Sequence, residues 1–322
     1  MGDRMNTIEF RVSGYKGLVG DGFLLQLGDE KSDIKGPIGS GKTKALECLR
    51  KYLDICTSRK SLSEVFSLKD FNIQDQKKQI SMVFKFHQDG DILFNHTLVI
   101  DWFKQEKMVK VITDTTIYKG SLIAYWENEG NQIGYHCVLK GEELYLPVCP
   151  NTVFISFYSE IMDEFKCICK ELLRINIYDF DVSQIIKSTG KDSIFLDYNG
   201  ANFATWVKDL MLSDMDASMD AQRYLRDNLP NFDSLSLILF GTDIRVLYLN
   251  KIIDEIKIGI PFEDISMNEK RVILLTFIFF AQALTSVLVI DHLELYPQDY
   301  VAELRCLFKR KGSNVFFASR IP

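Results

Sequence analysis

The sequence predicts an α/β chain: a mixed sheet, with an antiparallel β arm and a mainly helical lobe attached to it. Three observations predict this. A glycine-rich stretch, GPIGSGKT at 36–43, runs straight into a helical pattern. Residues 79–148 read as one short strand after another. The C-terminal tail reads as helix, apolar strand, helix and strand, which is a βαβ unit with parallel strands and helical cover.

Taken in order, residues 7–28 carry two short strands, TIEFRV and GFLLQL, with turns at Gly14, Gly17, Gly20 and Gly22. A short strand, SDIK, leads into the glycine-rich stretch, and Ala45, Leu46, Leu49 and Leu53 then recur at helical spacing. ISMVFKF places Ile80, Met82, Phe84 and Phe86 on one face. ILFNHTLVIDWF, KVITDTTIY, SLIAYW, YHCVL and ELYLPV follow, split by DG, EGN and KGEE turns. TVFISF reads as a strand; SEIMDEFKCICKELL, ANFATWVKDLM and DASMDAQRYLRDNL read as helices. LSLILF, IRVLYLN and DEIKIGIPF return to strand. A helix from Ser266 to Leu284 then leads into the strand SVLVID, the helix YVAELRCLFKRK and the strand NVFFAS. There is no internal repeat, low-complexity linker or sustained heptad.

The chain has 322 residues and a formal net charge of −6, which excludes a wholly basic surface as the default partner for nucleic acid. Cys48, Cys56, Cys137, Cys149, Cys167, Cys169 and Cys306 form no regular framework and are expected as reduced thiols of a cytoplasmic protein. His136 with Cys137, Cys149, Cys167 and Cys169 matches no zinc spacing, so these cysteines are read as small buried hydrophobes. The N-terminus lacks a signal-peptide core. The longest apolar stretch, Val272–Leu284, falls short of the roughly 20 residues that span a bilayer.

Gly36, Pro37, Ile38, Gly39, Ser40, Gly41, Lys42 and Thr43 fit G-x-x-x-x-G-K-[ST] at every specified position. The glycines let successive N–H groups point at one anion, and the helix that follows offers its positive end to it. Lys42 is placed to reach the β/γ oxygens of ATP, the Thr43 hydroxyl to ligate Mg²⁺, and Lys44 extends the motif. Such a site needs a second magnesium group, and Asp291, emerging from the apolar run Ser286 to Ile290, supplies it. His292 follows where a water-polarising glutamate is common, and Glu294 lies two further on. Ser266 and Glu269 form a capping box at the start of an apolar helix, whose N–H groups could also meet a phosphate.

With these motifs the chain resembles ABC-type ATPases of the RecF/SMC/OLD-like class, soluble bacterial AAA-like ATP-binding proteins, over nearly its whole length. IEFRVSGYKGL is similar to the family's first strand and turn, GPIGSGKT to its phosphate loop, and LDYNGANFATWVKDL to the opening of its helical lobe. IPFEDISMNEKR is similar to its signature stretch, LVIDHLELYP to its acidic strand end, and VFFASRIP to its last strand. The resemblance implies an ABC-ATPase head: a P-loop core (lobe I) at 1–78 and 235–322, the β arm at 79–152 and helical lobe II at 153–234. It implies head-to-tail dimers in which Ser266, Asn268 and Glu269 contact the nucleotide of the partner copy. It places Lys16 near the base or phosphates, Tyr158 or Glu160 at the Q-loop, and Arg320 at the switch-histidine position. Asn268 stands for the signature glycine, His292 for the catalytic glutamate, and Arg320 cannot act as a base.

The expected catalytic set is therefore Lys42, Asp291, His292, Glu294 and Arg320, with ATP and Mg²⁺ as cofactors. The departures imply slow turnover, an impaired half of a composite site, or an ATP-binding scaffold. The leading expectation is an ATP-gated homodimer or higher oligomer that holds a protein effector, a nuclease among the candidates, as in anti-phage defence systems. The second is a RecF-like ATPase that clamps DNA in repair or maintenance. No membrane partner is expected.

Overall fold

The computed structural model describes residues 6–28, 34, 39–58, 60–72, 78–129, 132–139, 142–147, 149–159, 162–185, 193, 195–240, 244–281, 287–310 and 314–317. The chain divides into two compact units, one ending at Ile175 and the other beginning at Asn176.

The first unit runs β1 (Asn6–Ser13), β2 (Phe23–Leu27), α1 (Lys42–Thr57), α2 (Leu62–Val65), β3 (Gln79–Gln88), β4 (Asp91–Phe103), β5 (Met108–Tyr118), β6 (Ser121–Glu129), β7 (Gln132–Leu139), β8 (Glu142–Pro147), α3 (Phe154–Tyr158) and α4 (Asp163–Leu172). Its strands form one antiparallel sheet in the order β2-β1-β3-β4-β5-β6-β7-β8. The strands expected as an arm at 79–152 therefore continue the hydrogen-bonded sheet begun by β1 and β2. The face read from ISMVFKF is the inner one: Ile80, Met82, Phe84 and Phe86 are all buried. Burying one face of an antiparallel sheet produces this alternation. The helical spacing after the glycine-rich stretch likewise gives α1 a buried stripe of Ala45, Leu46, Leu49 and Leu53.

A β-bulge decides what else lies inside. Val99 pairs with Thr113 and Ile100 with Val111, which leaves Ile112 as the extra residue of β5. Val109 and Val111 face the core before the bulge, and Asp114 and Thr116 face it afterwards. One inserted residue shifts the period-two alternation by one, which turns a charged side chain inward. The Asp114 carboxylate is satisfied there: Oδ1 lies 2.7 Å from His96 Nε2, and Oδ2 accepts from the Tyr135 hydroxyl at 2.6 Å. His96 Nδ1 lies 2.6 Å from the Tyr52 hydroxyl on α1. Burial pushes the Tyr52 and Tyr135 hydroxyls far up, so both stay protonated. The imidazole bridges the Tyr52 hydroxyl and the Asp114 carboxylate through its two ring nitrogens. This network joins α1 to three strands across an otherwise apolar core.

TVFISF, expected as a strand, is instead the helix α3, with Phe154, Ile155, Ser156 and Tyr158 buried. A short apolar run carries no period that separates strand from helix, and here packing decides: Phe154 meets Tyr135, Tyr158 and Phe165. The cysteine reading holds in part. Cys48, Cys56, Cys137 and Cys169 are buried small side chains, whereas Cys149, Cys167 and Cys306 are exposed.

The second unit runs β9 (Ile175–Tyr178), α5 (Phe203–Ser213), α6 (Met215–Asn228), β10 (Phe232–Phe240), β11 (Ile244–Ile253), β12 (Ile256–Pro261), α7 (Met267–Ala281), β13 (Val287–Ile290), α8 (Gln298–Arg310) and β14 (Asn314–Phe317). β10, β11 and β12 form an antiparallel meander. A second sheet has the order β14-β13-β9, and β13 and β14 run parallel with α8 between them, as the tail pattern predicts. The apolar run expected as a buried helix is α7, and its residues Val272–Phe279 are all buried. Phe203, Leu235, Leu249, Phe277 and Ile290 share one core, so the segments on either side of the expected 234/235 boundary pack together. No described helix is long and apolar enough to cross a membrane.

Replacing Asp114 with alanine leaves the His96 ring and the Tyr135 hydroxyl buried without their carboxylate. The expected loss is about 3 kcal/mol, the range for breaking a buried charged network. A urea midpoint equal to that of the wild type would show that the network is not what secures α1.

Candidate functional site

The described part of the glycine-rich stretch is Gly39 to Thr43. Gly39 and Gly41 both have left-handed backbone, at φ 82° and 95°. Gly41 is the N-cap of α1, and the first intrahelical bond runs from Ala45 N–H to the Gly41 carbonyl at 2.9 Å. No side chain caps the helix, and its first turn has no acidic residue. Its positive end is therefore not offset by a local carboxylate, the condition for an anion to bind there. Lys42 is the first helical residue. It is buried, with Nζ 3.3 Å from Ser40 Oγ, while Thr43 and Lys44 are exposed. Gly36, Pro37 and Ile38 lie outside the described residues.

A clamp built from the first glycine loop holds this turn. A Cβ on Gly41 would lie 2.5 Å from Leu18 Cδ2, so the loop packs where only glycine fits. Lys44 Nζ donates to the Lys16 carbonyl at 2.8 Å. The loop is tied in turn to Asp70, whose carbonyl accepts from Lys16 N–H at 2.8 Å. The Asp70 carboxylate accepts from Lys51 Nζ at 2.6 Å and from the Ser67 N–H at 2.8 Å. Burial pushes this carboxyl up, but the Lys51 and Ser67 hydrogen bonds outweigh it and hold Asp70 below its ordinary value of 3.8. Lys16, expected near the nucleotide, is beside the head of α1. Its ammonium pairs with Glu47 at 2.6 Å and lies 3.7 Å from Asp70.

The acidic strand end belongs to the second unit. Val287 to Ile290 are all buried, and Asp291 follows at 5% exposure. Asp291 N–H donates to the Tyr178 carbonyl at 2.9 Å, which sets the end of β13 beside the end of β9. His292 has left-handed backbone at φ 57°, and Leu295 N–H closes a turn on its carbonyl at 3.0 Å. The chain has therefore already turned before Glu294, whose Oε1 comes to 3.3 Å from His292 Nδ1. Asp179, the residue after β9, completes a group with Asp291 and His292 whose ligand atoms all lie within 4.8 Å of one another. Sequence reading missed Asp179, because its strand is only the four residues INIY. The remaining signal was that it too is an aspartate at the end of a short apolar run.

Ser266, Asn268 and Glu269 sit at the start of α7. Ser266 Oγ accepts from Glu269 N–H at 3.2 Å, and Glu269 accepts from Ser266 N–H at 3.2 Å, so both arms of the expected capping box are present. Glu269 also pairs with Lys251. Ser266 and Asn268 are exposed. Tyr158, one of the two expected Q-loop residues, is buried and stacked on Phe154. Glu160 and Arg320 lie outside the described residues.

No protein-family profile and no curated protein matches the chain. It is similar to a solved structure of the recombination mediator protein RecF-ATP in the RecFOR pathway, at 11% identity and a TM-score of 0.43, over 98% of this chain and 94% of that one. A likeness that distant decides nothing about what this chain binds.

Two substitutions test the clamp. Gly41→Ala adds left-handed strain of about 1–2 kcal/mol and a clash with Leu18. The thermal midpoint should fall, and Leu18→Ala should relieve only the clash when the two are combined. For Asp70, whose folded-state pKa is depressed, the stabilisation is present above the unfolded value and is lost as pH falls through the folded one. Urea unfolding should therefore show a gap between wild type and Asp70→Asn that is full at neutral pH and narrows below about pH 4. An equal gap at both would contradict the assignment.

Proposed function

We propose that this chain binds ATP with Mg²⁺ through Gly36–Thr43 and hydrolyses it slowly. The observation that carries the reading is the head of α1. A left-handed glycine caps a helix with no acidic first turn, directly before Lys42 and Thr43. Peptide N–H groups there would bind the β-phosphate, Lys42 would neutralise the β/γ oxygens, and the Thr43 hydroxyl would take a place on Mg²⁺.

Slow turnover follows from chemistry at one position. A carboxylate after Asp291 would orient and deprotonate the attacking water; His292 stands there, with its Nδ1 beside Glu294. In a head-to-tail pair of copies, the exposed Ser266 and Asn268 at the start of α7 would face the nucleotide of the other copy. That arrangement would make assembly depend on ATP.

Titration with a fluorescent ATP analogue in Mg²⁺ is expected to saturate with the wild type and to weaken at least tenfold with Lys42→Ala. Size measurement with and without Mg-ATP reads the pairing separately. Equal affinity for wild type and Lys42→Ala would overturn the nucleotide site, and an unchanged size with ATP bound would overturn the pairing.

A further inference from the structure

The ends of β9 and β13 bring three potential ligands together inside the second unit, and one buried oxygen among them has no hydrogen-bond partner. Asp291 Oδ2 is buried and has no hydrogen-bond partner, although its twin Oδ1 accepts from the His292 N–H at 2.9 Å. The side chain is only 7% exposed. A lone carboxylate oxygen at that depth costs several kcal/mol unless something positive meets it. His292 Nε2 stands 3.9 Å from this oxygen and also 3.9 Å from Asp179 Oδ1. Those separations are too long for hydrogen bonds. Both histidine–aspartate separations suit ligands of one ion, because two donors each about 2.1 Å from a first-row cation stand at most about 4.2 Å apart, and the partly exposed Asp179 side chain has room to close on it.

The residues that touch His292 point the same way. Glu294 Oε1 lies 3.3 Å from His292 Nδ1, where a carboxylate can orient a ligand imidazole from its other ring nitrogen. The turn that presents the ring is itself held. Arg271 donates to the Leu295 carbonyl at 2.8 Å, and its guanidinium lies 5.8 Å from the centre of the Tyr296 ring.

We propose that Asp179, Asp291 and His292 bind a divalent first-row transition cation, with Glu294 orienting the imidazole. Two carboxylates and one imidazole favour Mn²⁺ and its heavier neighbours over Mg²⁺, which prefers oxygen donors. The site goes beyond the nucleotide reading, because every ligand belongs to the second unit and no ATP is needed.

The probe is Mn²⁺ itself, added to the full chain after chelator treatment and without nucleotide, and read as the loss of the free-ion signal in electron paramagnetic resonance. One saturable site per chain is expected, with Mg²⁺ displacing Mn²⁺ only in large excess. His292→Ala and Asp179→Asn, both at partly exposed positions, should raise the dissociation constant at least tenfold while circular dichroism stays unchanged. Glu294→Gln should raise it about tenfold, the usual scale for an outer-shell partner of a histidine ligand. No saturable binding, binding unchanged by His292→Ala, or displacement by equimolar Mg²⁺ would each overturn the proposal. Because nucleotide is absent throughout, none of these outcomes depends on whether Gly36–Thr43 holds ATP.

Discussion

The geometry of the first unit depends on one buried carboxylate. Asp114 sits on the core face of an eight-stranded sheet and is bonded through His96 to Tyr52, in the middle of α1. Apolar packing alone would let a helix slide or rotate on a sheet at little cost, because one leucine contact resembles another. A chain of short hydrogen bonds in a dry interior has no such freedom: any displacement leaves a donor or an acceptor without a partner. The network therefore fixes the register of the helix whose first residue is Lys42.

The head of α1 is secured from the other side by different means. Leu18 fills the space that a side chain on Gly41 would need, and Asp70 gathers Lys51, Ser67 and the Lys16 peptide into one knot. The knot satisfies the cations around the helix start without placing a carboxylate in its first turn. Charge is balanced one turn further along, at Glu47, and the N-terminal peptide groups keep their positive field. A loop of glycines rather than larger residues suits this task, since the chain must reverse within a few residues while approaching the helix closely.

How much of this was legible in the sequence depends on the range of the interaction. The face of β3, the buried stripe of α1, the parallel pair β13 and β14 and the cap of α7 all follow from local periodicity or local hydrogen bonding, and all are found. What periodicity hid was decided elsewhere in the chain. Asp114 reads as an outward residue, because alternation from Val109 and Val111 puts Thr113 and Thr115 inside; only the bulge at Ile112 reverses this. α3 reads as a strand until its neighbours are known. Asp179 gains its meaning from a residue more than a hundred positions away, at the end of a strand too short to show a period. The same limit applies to the site. The glycine-lysine motif announces itself within eight residues, whereas the surroundings of Asp291 require three separate segments to meet.

His292 shows why the second cluster is organised rather than accidental. A histidine with left-handed backbone gives up about 1–2 kcal/mol relative to the right-handed region. The fold holds it there with contacts that do not involve the ring: the Leu295 turn, the Arg271 bond to its carbonyl, and the burial of Tyr296 beneath the guanidinium. Those contacts would serve equally well if position 292 were glycine, which adopts the same backbone without strain. The backbone is thus shaped independently of the imidazole, and the imidazole occupies it at an energetic disadvantage. A residue that is locally unfavourable, stands 3.9 Å from an unpartnered buried carboxylate oxygen and lies beside a second carboxylate is what the proposed cation would account for.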